Sequence, residues 1–115
     1  MLESADIARK AVDAALEKQA GDILMLDIRE ASGFADYFVI CSAESDRQIQ
    51  AIFNEIDDVL GKEGINPYHR EGNADSGWML LDYSQVVVHI FTPQQREYYN
   101  LENLWGTAAT VVRIL

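Results

Sequence analysis

Basic residues are scarce in this chain: nine Lys and Arg stand against nineteen Asp and Glu, for a formal net charge of -10. Binding to phosphate backbones relies on Lys and Arg displacing counterions, so direct nucleic-acid binding is not expected. An acidic surface favours encounter with basic partners instead. Cysteine is nearly absent as well. Cys41 stands alone, which excludes an internal disulfide and a four-cysteine zinc site. Proline occurs twice and 49% of residues are hydrophobic, a balance that argues against disorder. No apolar run approaches the ~20 residues of a membrane helix. The opening "MLESADIARK" turns polar at once, unlike a secretory leader. The expectation is a protein that does not engage membranes and resides in the cytoplasm.

What is present fits one domain spanning residues 1–115. A chain of this length buries roughly 65% of its unfolded surface and needs no staples. "SADIARKAVDAALEKQAG" reads as a helix with an apolar stripe of Ile7, Ala8, Ala11, Val12, Ala15 and Leu16. Ser4 is the expected cap and Gly21 the expected stop. "DILMLDI" and "DYFVICSA" read as strands. "SDRQIQAIFNEIDDVLGKEG" is the clearest helix, with Ser45 and Gln48 at capping-box spacing and a buried stripe of Ile49, Ile52, Phe53, Ile56, Val59 and Leu60. "YHREG" suggests a short strand, "GNADSG" a loop, and "WMLLD" with "VVVHIF" a hairpin. The order implies an α/β sandwich, a mixed five-stranded sheet with helices packed on it.

Alternation sharpens the hairpin. With a loop of Tyr83 and Ser84 alone, Asp82 would face Gln85, Leu80 would face Val87 and Trp78 would face His89. One side then collects Met79, Leu81, Val86, Val88 and Ile90, an apolar set suited to a helix-covered core. The other collects Trp78, Leu80, Asp82, Gln85, Val87, His89 and Phe91, a mixed set suited to a partly open surface.

The residues offer little chemistry. Asp27, Asp36 and Asp82 fall at or near strand ends, but no Gly-Ser turn followed by an Asp-x-Asp strand accompanies them to hold a metal and a nucleotide. These acids read as turn and strand caps. His69, His89 and Cys41 lack metal-ligand spacing. His89 reads as a packed or interface histidine and Cys41 as a buried thiol. Neither "GKEG" nor "GNADSG" has the setting of a phosphate loop. No cofactor and no metal are expected. The aromatics are more suggestive: Tyr98, Leu101 and Trp105 fall at i, i+3 and i+7, one face of a closing helix. That face could seal a core or dock a partner, since Tyr and Trp are favoured at interface centres.

The stretches "ADYFVICSAESDRQIQAI", "EG", "GWMLLDYSQVVVHIF" and "REYYNLENLWG" together resemble the ribosomal silencing factor, or Iojap, family. The resemblance runs from about Ile7 to Gly106. It implies a nucleotidyltransferase-like fold without catalytic residues, and a protein that is not an enzyme. It implies binding to the large ribosomal subunit through ribosomal protein fourteen, which blocks joining of the small subunit and represses translation under nutrient limitation. Free members are expected to be homodimers. Organellar relatives assist large-subunit assembly, one alternative reading; a nucleotidyltransferase-like enzyme using Asp27 or Asp82 with magnesium is another, and a dimeric adaptor a third.

By position, the resemblance assigns partner binding to Glu71, Trp78, Asp82, Tyr83, His89, Tyr99, Glu102 and Trp105. Gly72, Arg96, Leu101 and Leu104 also match the family's motifs. Leu101 and Leu104 are expected to close the core, with Tyr99, Glu102 and Trp105 beside Trp78. Two departures stand out. Ser84-Gln85 replaces the usual Gly-Asp of the hairpin, which demands a less comfortable turn, and "TAATVVRIL" differs from the usual ending.

Overall fold

The computed structural model describes residues 2–30, 33, 35–104 and 108–115, with Leu104 described by its backbone alone. Helix α1 (Ser4–Glu17) leads into strands β1 (Gly21–Asp27) and β2 (Tyr37–Ser42), then helix α2 (Asp46–Lys62). Strand β3 (His69–Asn73), a 3-10 turn (Ala74–Ser76), and strands β4 (Trp78–Asp82) and β5 (Val86–Phe91) follow. Short helices α3 (Pro93–Tyr99) and α4 (Leu101–Leu104) precede strand β6 (Ala109–Ile114). The α/β class is as expected, but the sheet has six strands in the order β3-β4-β5-β2-β1-β6. Among the described residues only the central β2–β5 pair is parallel. The sixth strand is the apolar tail. Its β-branched run pairs with β1, and Val112 and Ile114 pack against the core.

The sheet has two unlike faces. Helices α1 and α2 cover one, burying Ile7, Ala11, Ile49, Ile52 and Ile56 against Ile23, Val39, Leu81, Val88 and Ile90. Leu16 departs from its expected stripe and is 47% exposed. The other face carries a smaller apolar cluster of Leu24, Leu26, Ile28, Phe38, Ile40, Val87 and Phe91. Leu101 and Ala108 of the C-terminal segment pack over part of it.

Helix ends account for several differences from expectation. The N-cap of α1 is Glu3, not Ser4, because the Asp6 carboxylate reaches back to accept from the Glu3 N–H at 3.2 Å. The helix stops at Glu17, Gln19 takes φ +61°, and Gly21 already belongs to β1. Ser45 caps α2 as expected, accepting from the Gln48 N–H at 3.1 Å. The Gln48 side chain, however, links two helices. Its Oε1 accepts from the Glu44 N–H at 2.7 Å. Its amide donates to the carbonyls of Lys18 and Gln19 at 3.2 and 3.0 Å, supplying partners that the end of α1 lacks.

The hairpin register differs from expectation by two residues. Asp82 faces Val87, Leu80 faces His89 and Trp78 faces Phe91. The Tyr83 N–H donates to the Val86 carbonyl at 2.8 Å, so the two loop residues are Ser84 and Gln85. A shift of two preserves every side chain's face, which is why the two-sided sorting survives the error. Ser84 sits at φ +73°, in a three-residue turn closed by Gln85 N–H to Tyr83 O at 2.9 Å. Glycine is the natural occupant of such a position.

Ser84→Gly should therefore stabilise the fold. Backbone strain of order 1–3 kcal/mol would be relieved, against roughly 0.5–1 kcal/mol of added unfolded-state entropy. A net gain of about 1 kcal/mol should raise Tm by roughly 4–8 °C, measured by circular dichroism. An unchanged or lower Tm would refute the strain.

Candidate partner-docking face

Cross-strand partners share a face of a sheet, so the register decides which candidate residues meet. Glu71 lies opposite Leu80, Leu80 opposite His89, and His89 beside Ile40. In flanking rows, His69 faces Asp82 and Trp78 faces Phe91. Glu71, Trp78, Asp82 and His89 therefore stand on the face that α1 and α2 leave uncovered. Gly72 makes the close approach possible. Its φ is +79°, and a Cβ there would sit 2.3 Å from the Trp78 carbonyl oxygen, so glycine at 72 is a steric requirement of the β3–β4 edge.

A cleft of about 560 Å³ opens on this face. Its apolar floor is Phe38, Leu80, Val87 and His89, and its rim includes Tyr68, His69 and Asp82. His89 is only 8% exposed. Its ring stacks on Phe91 at 5.8 Å and meets the edge of Phe38 at 5.2 Å. The Trp78 Nε1–H donates to its Nδ1 at 3.4 Å, which places the ring proton on Nε2. Burial pushes its pKa down to about 4, against an opposing pull from Asp82. It is a neutral, packed histidine. Asp82 turns inward on its own loop, accepting from the Ser84 N–H at 2.8 Å. Neither Glu71 nor Asp82 has an ion-pair partner among the described residues.

Tyr99 joins this face from above. It is 52% exposed, with its ring 5.8 Å from Phe91 and 6.3 Å from Trp78. The expected closing helix is in fact broken. Asn100 takes φ +51° and separates α3 from α4, so Tyr98 and Leu101 do not share one continuous helical stripe. Tyr98 is 78% exposed, while Leu101 is partly buried against the smaller cluster, as expected for core closure. Trp105 and the Leu104 side chain lie outside the described residues.

Glu102 is engaged inside the molecule. The Arg96 Nε–H donates to both its oxygens at 3.3 Å. Arg96 also donates through Nη1 to the Asp22 carbonyl at 2.6 Å and the Ser42 hydroxyl at 2.9 Å. Arg96 is 7% exposed and escaped the list of candidates, although its place in "REYYNLENLWG" was visible. Tyr83 lies elsewhere. Its ring is 5% exposed within the helix-covered core, on the opposite side of the sheet from Trp78.

The groups considered for chemistry are kept apart. Asp27 faces Tyr37 on the helix side, opposite to Asp82, and Arg29 pairs with it at 2.6 Å and holds its carboxyl below the usual range. Cys41 also points into the helix-side core, away from His89, and burial pushes its thiol up to about 12. Among the described residues no cluster of three His, Cys, Asp or Glu side chains could hold a metal ion. No described helix is long and apolar enough to cross a membrane.

A profile of the family described as "Ribosomal silencing factor during starvation" matches residues 1–114. The chain belongs to this family. It is 47% identical over 102 residues to the ribosomal silencing factor RsfS of Bacillus subtilis, covering 89% of this chain and 86% of that relative. It is 32% identical over 92 residues to the mouse "Mitochondrial assembly of ribosomal large subunit protein 1", covering 77% of this chain and 40% of that one. A crystal structure of a Chromobacterium violaceum protein superposes with a TM-score of 0.87 at 30% identity, covering 91% of this chain and 88% of the other. The silencing-factor family is regulatory and not enzymatic.

In this silencing-factor fold, the buried His89 makes stability pH-dependent. Its folded pKa of about 4 lies below the unfolded value of about 6.5. The contribution is complete above pH ~6.5 and is lost as pH falls toward 4, because the unfolded chain takes the proton first. Wild type should lose about 3 kcal/mol more than His89→Gln across that window, read from urea unfolding at each pH. Parallel pH profiles for the two proteins would show that His89 is not buried neutral.

Proposed function

We propose that this silencing-factor family member docks its uncovered sheet face on the large ribosomal subunit, through ribosomal protein fourteen, and sterically blocks joining of the small subunit. The observation that carries the proposal is the composition of that face. Trp78 and Tyr99 supply partly exposed aromatic anchors on the same face as Glu71 and Asp82, two acids without ion-pair partners among the described residues. A basic ribosomal protein suits such a face, and a net charge of -10 speeds its encounter. The mechanism is occlusion, with no bond made or broken and no cofactor used. The protein acts in the cytoplasm, represses translation when nutrients are scarce, and is a homodimer when free. A dimer built on the docking surface must dissociate before it binds.

Docking on the large subunit also suits an assembly role, which the name of the mouse relative favours. Two measurements separate the readings. Purified large subunits mixed with the protein should carry it into their sucrose-gradient peak, and later addition of small subunits should yield fewer joined particles. Undiminished joining with the factor bound would leave only the assembly role. Trp78→Ala should lose at least ~2 kcal/mol of binding, or roughly 30-fold in affinity. Its co-sedimentation at wild-type levels while folded would show that the anchor lies elsewhere.

A further inference from the structure

We infer that Arg96 and Glu102 form an internal strut that positions Tyr99 for docking, and that Glu102 does not itself touch the partner. This rests on the docking face proposed above. Helix α3 has seven residues, too few to hold itself in place. The chain then turns at Asn100, whose N–H donates to the Arg96 carbonyl at 2.8 Å. Tyr99 is the last residue before that turn and lies one helical turn beyond Arg96. Its position over Phe91 and Trp78 therefore depends on what fixes the turn.

Arg96 fixes it from both sides. Nη1 anchors the helix to the Asp22 carbonyl and the Ser42 hydroxyl, at adjoining ends of β1 and β2. Nε bridges the turn to Glu102, so α4 is held at a set angle to α3. Both carboxylate oxygens of Glu102 are used in that bridge. A partner cation drawn to Glu102 would compete with that bridge and loosen the hold on a guanidinium that is 7% exposed, which is costly. The acid in the closing motif thus acts through the tyrosine: Glu102 sets Arg96, Arg96 sets the turn, and the turn sets Tyr99.

A double-mutant cycle decides the matter. Large-subunit affinity is measured at several salt concentrations for wild type, Glu102→Gln, Tyr99→Ala and the pair. Glu102→Gln should weaken binding about tenfold with an unchanged salt dependence, and should cost nothing further in the Tyr99→Ala background. Nuclear Overhauser contacts between the Tyr99 and Trp78 rings should weaken in Glu102→Gln. Ser42→Ala, which removes a contact of Arg96 and leaves Glu102 intact, should weaken binding in the same direction and serves if Glu102→Gln does not fold. Additive losses, a shallower salt dependence, or wild-type binding by Glu102→Gln would each overturn the strut. A wild type that binds no subunits would instead remove the docking reading itself.

Discussion

One guanidinium joins the parts of this molecule that chain connectivity leaves loose. Arg96 ties α3 to the ends of β1 and β2 and, across the Asn100 turn, to α4. Its Nη2 also lies 3.6 Å from the Asp22 carboxylate, which in turn pairs with Arg113 of β6 at 3.2 Å. A chain of alternating charges thus runs from the closing motif to the outermost strand. Burying such a cation gains little net stability, because desolvation offsets the attraction. Its use is geometric. Removing one partner would leave a buried cation poorly compensated, which favours the arrangement of the C-terminal segment that keeps Glu102 against it.

That arrangement explains why the two faces of the sheet behave differently. The helix side is sealed by side chains at or near zero exposure. The other side is partly covered by Leu101 and Ala108 of the C-terminal segment, and a cleft opens on it beside Leu80, Val87 and His89. An apolar floor, a neutral histidine and a polar rim that includes Asp82 make a surface suited to recognition. The titratable groups that chemistry would need to combine are divided between the two faces.

Periodicity made the faces legible before the pairing was. Side-chain direction repeats every two residues, so the assignment of Met79, Leu81, Val86, Val88 and Ile90 to the core survived a register displaced by two. The register itself depended on Tyr83 joining the ladder, a single hydrogen bond that composition does not encode. Gln48 looked like half of a capping box, yet its amide serves another helix, a contact spanning about thirty residues that local spacing cannot reveal. The closing motif was legible as a signature and misread as a continuous helix, because Asn100 adopts a left-handed conformation inside an otherwise helical pattern. Glu102 appeared available for a partner because its internal cation was not counted among the candidates. The apolar tail carried β-branched residues throughout, and what it lacked was a known neighbour: β1 is more than eighty residues earlier in the chain.

The two edges of the sheet have a consequence of their own. An open sheet ends in unpaired backbone groups on both sides, and like strands can add to them indefinitely. Strand β3 meets this hazard with composition. His69, Arg70 and Glu71 put ionic or polar groups along a fully exposed edge, and Gly72 interrupts its regular twist at φ +79°. Strand β6 has one charge, Arg113, already bound to Asp22, and it relies on shape. The pairing steps from Met25 with Val112 to Leu26 with Thr110, leaving Val111 as a bulge that deforms the outer ladder. Fibrillar growth by edge addition is thereby opposed at one end by charge and at the other by geometry.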